Sequence, residues 1–296
     1  MPGFVHEPKE MKQDANFLVA IDSDGCAFDT MEIKHKECFT PNIIEWWELQ
    51  KISKYAREAS EFVNLYSKWR GANRFPALLK VFDLLADRDE VKQRGTALPN
   101  VDSLRKWAKE EPKLGNPALI EAVKKTSDPT LKLTLMWSEA VNATIERFVR
   151  GVPPFPFVRE SLQKIQGRAD ILVCSATPIE ALVREWEEHG ISKSVKCIAG
   201  QEQGSKAQHI ERASRGHYAK SNILMVGDAD GDLKAARANG ALFYPINPGH
   251  EDASWKKFLD EALDKFLAGT YAGTYEEALI KEFQTFLPDV PPWKRK

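Results

Sequence analysis

Three short, wholly apolar runs stop abruptly at clusters of small and acidic residues, and they constrain this chain more than any other feature. Residues 17–21 (FLVAI) run into Asp22-Ser23-Asp24-Gly25, residues 171–174 (ILVC) into Ser175-Ala176-Thr177-Pro178, and residues 223–226 (ILMV) into Gly227-Asp228. Runs of this length without polar alternation read as strands buried on both faces. Two more candidates are 195–199, ending at Gly200, and 241–244, ending at Pro245. Helical periodicity fills the intervals at 158–166, 179–189, 206–213 and 233–238. Alternating strands and helices fold as an α/β, doubly wound parallel sheet, in which ligands bind beyond the carboxyl ends of the strands.

The first two runs are far apart. Between residues 31 and 151 the pattern is helical, with Trp46, Trp47, Trp69, Trp107 and Trp137 read as helical core. Asp128-Pro129 marks a helix start, Asp as the cap and Pro in the first turn. Leu135, Val141, Ile145 and Phe148 supply its apolar stripe, and Gly151 with Pro153-Pro154 ends it. The expected organisation is a sheet domain from 1–30 and 152–296, the latter with a C-terminal helical extension, and an all-helical domain at 31–151. Two close connections, near 28–31 and 151–157, make a natural hinge. The tail from Leu287 onward is Pro-rich and basic.

Composition excludes several classes. Lys and Arg number 42 against 43 Asp and Glu, a net charge of -1, so the chain lacks the basic excess of a general nucleic-acid binder. Four cysteines without a C-x-x-C pair point to a reducing compartment, with neither structural disulfides nor a zinc site. The polar first segment lacks the apolar core of a secretory signal, and no window approaches the ~18 apolar residues of a membrane span. A cytoplasmic protein without membrane or nucleic-acid partners is the expectation.

Each cluster has a chemical reading and a plainer one. Asp22 and Asp24 can share a cation, and hard oxygen ligands suit Mg²⁺. One of the pair can act as a nucleophile and the other as acid and then base; such tetrapeptides also occur in ordinary turns. Ser175 can hold a phosphate oxygen or simply cap the helix near Pro178. Lys206 can stabilise transferring charge or be a solvated surface lysine. Asp228, Asp230 and Asp232 need a cation or much water to coexist. An EF-hand loop does not fit: counted from Asp228, position six is Leu233 rather than Gly, and position twelve is Asn239 rather than Glu.

Taken in order, the four clusters resemble the motifs of the haloacid dehalogenase superfamily of phosphotransferases. FLVAIDSDG resembles its first motif, ILVCS its second, Lys206 its third and ILMVGDADGD its fourth. The resemblance covers 17–31 and 152–248, and the helical insertion is similar to that superfamily's cap. It implies a Rossmann-like core and a Mg²⁺-dependent phosphatase acting on a small phosphorylated metabolite. Asp22 would be the nucleophile and a metal ligand. Asp24 would be the general acid/base and give its backbone carbonyl to the metal. Ser175 and Lys206 would bind the phosphoryl group. Asp228 would ligate Mg²⁺, with Asp232 as a ligand or its support, and Asp230 has no assigned role. Cys26 departs from the Thr common at its position and is read as a small buried residue. A second Asp favours phosphoryl transfer over dehalogenation, because a halide leaves without a proton.

Specificity is expected from the insertion. Arg70 and Arg74, in the run Arg70-Gly71-Ala72-Asn73-Arg74-Phe75-Pro76, could bind a substrate carboxylate or second phosphate. Lys113-Leu114-Gly115-Asn116-Pro117 is a weaker candidate, and His35 is left unassigned. The alternatives are a phosphomutase using the same aspartyl-phosphate, a phosphonatase using Lys34 or Lys36 as a Schiff base, and a non-catalytic binding protein.

Overall fold

The apolar runs become strands. The computed structural model describes residues 4–294 and contains β1 (Leu18–Ile21), β2 (Asp170–Cys174), β3 (Cys197–Ala199), β4 (Ile223–Gly227) and β5 (Leu242–Pro245). They form one all-parallel sheet in the order β3-β2-β1-β4-β5. Alternate side chains enter two different cores. Val19 and Ile21 pack on one face with Val173, Val226 and Trp255, while Leu18 and Ala20 pack on the other with Leu172, Met225 and Phe243. With both faces buried, no polar alternation remains, which is why the strands read as continuous apolar runs. Helices Val158–Ile165, Ile179–Glu188, Lys206–Ser214 and Asp230–Ala238 fall between the strands. The last begins earlier than its apolar pattern suggests, at Asp230, which places Asp232 inside its first turn.

Strand order fixes where a ligand can bind. From β1 the chain proceeds to β2 on one side, and from β4 to β5 on the other. The sheet's direction of travel therefore reverses between β1 and β4, and the crevice opens beyond their carboxyl ends. Ile21 is level with both Val173 and Val226, and β2 and β4 run one residue further, so the residues after β1, β2 and β4 leave the sheet within one residue of the same level.

The chain divides into two compact units. One comprises the chain up to Met31 together with Gly151–Leu287; the other comprises Glu32–Arg150 and the tail from Pro288. Within the sheet unit, the two segments leading to the insertion run together. Phe28 forms an antiparallel bridge to Pro154, and the Phe155 N–H donates to the Ala27 carbonyl at 2.9 Å.

The helical unit holds no strand among its described residues. Asp128 caps helix Pro129–Phe148, its Oδ1 accepting from the Leu131 N–H at 2.9 Å. The buried stripe of that helix is Leu131, Thr134, Trp137, Ser138 and Val141, whereas Phe148 is 50% exposed. Trp47, Trp107 and Trp137 are core, Trp46 is partly buried against it, and Trp69 lies at the surface with Lys80 over its ring.

One boundary differs from the sequence reading. The tail groups with the helical unit rather than with the sheet domain. Trp293 meets Phe62 edge-on and, with Tyr55, sandwiches the Arg88 guanidinium at 4.5 and 4.4 Å. Arg88 is almost wholly buried and pairs with Glu58 at 2.6 Å. A buried cation needs such partners, and one tryptophan in a basic tail gives little hint of that role. Arg295 and Lys296 lie outside the described residues. No described helix is long and apolar enough to cross a membrane.

Trp293→Ala should therefore destabilise the helical unit by roughly 1–2 kcal/mol, the cation–π contact plus part of the ring's burial. Urea denaturation followed by far-UV circular dichroism measures this, and an unchanged midpoint would contradict the tail's role.

Candidate active site

Asp22 and Asp228 are the first residues after β1 and β4, the two strands flanking the crevice. Asp232 reaches the same point from the first turn of helix Asp230–Ala238. One of its oxygens accepts the N–H groups of Asp228 and Ala229, both at 3.1 Å, satisfying amides that the helix start leaves free. Ligand oxygens of Asp22, Asp228 and Asp232 all lie within 4.8 Å of one another, and all three residues are buried. Gly227 makes this possible, because a Cβ there would sit 2.4 Å from the Cβ and Cγ of Asp232.

Lys206, the first residue of helix Lys206–Ser214, reaches into this cluster. Its ammonium pairs with Asp22 Oδ2 at 2.7 Å and with Asp232 Oδ1 at 2.6 Å. Ser205 caps that helix from Gln208, fixing where Lys206 starts. Burial pushes the Asp22 carboxyl well above its usual range, Lys206 draws it back, and Asp232 and Asp228 raise it further. Burial likewise raises Asp232, against the pull of Lys206. For Lys206 itself burial works against the charge, but Asp22, Asp232 and Asp228 outweigh it and hold the ammonium well above its ordinary value.

Three carboxylates and one ammonium leave a formal excess of two negative charges. Hard oxygen donors with that excess suit a Mg²⁺-like cation. The donor set therefore fits the metal that the sequence resemblance implies, with Asp22, Asp228 and Asp232 as the residues that would hold it.

Asp24 is placed differently. Gly25 turns the chain with a φ of +75°, a conformation costly for other residues. The Asp24 carboxylate accepts the hydroxyls of Thr30 at 2.5 Å and Thr177 at 2.6 Å and is not among the three clustered groups. Neither threonine was singled out from the sequence. Thr177 stands within the polar cluster after β2, but nothing in the pattern marks Thr30.

Ser175 follows β2 directly and is buried. Its amide donates to the Ala199 carbonyl, and its Oγ accepts the Thr177 N–H at 3.2 Å. It is not a helix cap, since helix Ile179–Glu188 starts after Pro178 without a side-chain cap. Cys26 is fully buried, 3.5 Å from the Val226 carbonyl, and burial pushes its thiol up. Asp230 opens its helix and is part-exposed.

Arg70 and Arg74 belong to the helical unit. Arg70 is buried and donates to the Leu65 carbonyl at 2.9 Å. Arg74 donates to the Ser138 carbonyl and hydroxyl and to Asn142 Oδ1, with its guanidinium over Phe39; burial lowers it to about 10. Ser138 in turn donates to Asn116 Oδ1 at 2.6 Å, so both candidate loops meet in one polar knot inside that unit. His35 stacks on Phe39.

No protein-family model and no curated protein matches the chain. Solved structures are similar to it. A haloacid dehalogenase-like family hydrolase from Xanthomonas campestris has a TM-score of 0.47 at 11% identity, covering 90% of this chain and 98% of that one. A haloacid dehalogenase-like family hydrolase from Streptococcus pneumoniae has 0.43 at 14%, covering 83% and 91%. A haloacid dehalogenase superfamily hydrolase of subfamily IA from Geobacter sulfurreducens has 0.40 at 15%, covering 79% and 90%. Values this low say nothing about what this chain acts on.

Two outcomes follow from the site. Gly227→Ala should displace Asp232 and cost about 1–3 kcal/mol of stability, as overpacking does; a wild-type melting temperature would contradict the close approach. His209, one turn after Lys206 and fully buried, is lowered to about 4, chiefly by burial. Its contribution to stability is complete above about pH 6.5 and is lost as the pH falls toward 4. Between pH 7 and 4.5 the wild type should therefore lose roughly 2 kcal/mol that His209→Leu does not lose. Parallel pH profiles of the two proteins would contradict this.

Proposed function

We propose that this chain is a cytoplasmic, Mg²⁺-dependent phosphatase of the haloacid dehalogenase type, hydrolysing a small phosphorylated metabolite through an aspartyl-phosphate on Asp22. One observation carries the reading. Asp22, Asp228, Asp232 and Lys206 converge at the crevice between β1 and β4, while Asp24 stands two residues from Asp22 in a separate hydroxyl cradle.

The chemistry follows from those placements. An Asp22 oxygen forms a bond to phosphorus as the bond to the leaving oxygen breaks. Asp24 gives its proton to that oxygen, and its threonine partners fix the direction from which the proton arrives. Lys206 offsets charge on the transferring group, and Ser175 offers its hydroxyl at the neighbouring strand end. Mg²⁺, when bound, would remove the repulsion between the Asp22 carboxylate and a phosphate dianion. Asp24, now ionised, takes a proton from the water that cleaves the acyl phosphate, which restores Asp22 and releases phosphate.

Lys36 does not suit the phosphonatase alternative. A Schiff base needs a neutral amine, whereas the Lys36 ammonium pairs with Glu32, which pushes it up.

The test is a Mg²⁺-dependent assay against a panel of phosphorylated metabolites. Asp22→Asn should abolish turnover, and activity surviving it would overturn the nucleophile. Asp24→Ala should lower kcat on alkyl phosphates by about 10²–10⁴, the usual worth of a general acid. Aryl phosphates, whose leaving groups depart without a proton, should suffer far less. Equal losses on both classes would refute the role of Asp24.

A further inference from the structure

We propose that Trp186 and Trp255 are positioning residues, two indole N–H groups that clamp the loop carrying Asp22 and Asp24. The inference rests on the reading of those two residues as nucleophile and acid/base. Between them lies Ser23, fully buried. The Trp186 Nε1–H donates to Ser23 Oγ at 3.0 Å, and the Ser23 hydroxyl donates to Glu185 Oε2, also at 3.0 Å. The hydroxyl is thus engaged both as acceptor and as donor by adjacent residues of one helix, Ile179–Glu188. A second clamp comes from helix Glu251–Lys257, where the Trp255 Nε1–H donates to the Cys26 carbonyl at 2.7 Å. Both tryptophans are fully buried.

What they hold is compact. The Ser23 carbonyl accepts the N–H groups of Ala27 and Phe28 at 2.9 and 3.0 Å, and the Gly25 N–H donates to the Phe28 carbonyl at 2.8 Å. Fixing the Ser23 side chain and the Cys26 carbonyl therefore fixes the whole turn. Helix Ile179–Glu188 also begins just after Thr177, which holds the Asp24 carboxylate. The helix and the short segment leading into it thus hold Ser23 through Trp186 and Asp24 through Thr177. Each indole N–H acts through a hydroxyl or a backbone carbonyl, Ser23 Oγ for Trp186 and the Cys26 carbonyl for Trp255. Displacing reacting groups by about 1 Å can cost about 10²-fold in rate.

The experiment uses Trp186→Phe and Trp255→Phe, which keep a buried aromatic ring and remove only the indole donor, together with Ser23→Ala. Each should lower kcat at least about tenfold with KM within about twofold. In the metal-free protein, each should speed amide hydrogen exchange across residues 22–28. Trp186→Phe added to Ser23→Ala should cost little more than Ser23→Ala alone, since the serine change already removes the Trp186 bond along with the one to Glu185. Wild-type kcat or wild-type loop exchange in the tryptophan variants would overturn the clamp, as would a rise in KM with kcat held. If a tryptophan variant fails to fold, Ser23→Ala decides the Trp186 arm by the same two readouts. A wild-type protein that hydrolyses nothing would count against the phosphatase reading alone, because loop exchange still tests the clamp.

Discussion

Three buried carboxylates gathered around one ammonium are the constraint on which the rest of the structure depends. Asp22, Asp228 and Asp232 repel one another, and burial opposes the charge on Asp22 and Asp232. Lys206 bridges two of them and remains charged because of them. The arrangement is unfavourable on electrostatic grounds unless a cation completes it. The fold maintains it with a missing Cβ at Gly227, a helix start that absorbs one Asp232 oxygen, and a capped helix that begins at Lys206. Such outlay is characteristic of functional sites, where local cost is offset by packing elsewhere.

The sheet supplies that packing. β1 is central, has no exposed face and pairs with both β2 and β4, so residues distant in sequence leave the sheet within one residue of the same level. Asp22, Ser175 and Asp228 are each the next residue after a buried strand. Asp24 has a different environment two residues away, with hydroxyl donors in place of acidic neighbours. Two carboxylates in unlike surroundings can take unlike roles, one as nucleophile and one as proton carrier.

The strands were legible because burial on both faces removes polar alternation, and the residues after them were legible because abrupt acids and hydroxyls there have few structural reasons. Lys206 was legible only through its position between the second and fourth clusters. Contacts made by side chains across long separations were not legible. The periodicity that includes Trp186 marks a buried helix face and not a donor, and nothing in the pattern singles out Thr30 or Trp255, since what matters is the single donor that each contributes after folding. Arg70 and Arg74 show the converse. Two guanidiniums in a loop-like run suggested ligand binding, yet their donors meet carbonyls and side chains of their own helical unit. The tail eluded the reading for a related reason: its composition is basic and Pro-rich, but its anchoring residue is one tryptophan stacked on Arg88.

The most direct test of the central claim is to look for the covalent intermediate. Wild-type protein would be mixed with Mg²⁺ and a hydrolysed substrate, quenched in acid within a turnover, digested and examined by mass spectrometry. The account predicts one phosphoryl group on the peptide containing Asp22, present in the wild type, accumulating if Asp24 is replaced, and absent from Asp22→Asn. A phosphoryl group on any other residue, or turnover without a trapped adduct in either the wild type or the Asp24 variant, would contradict it.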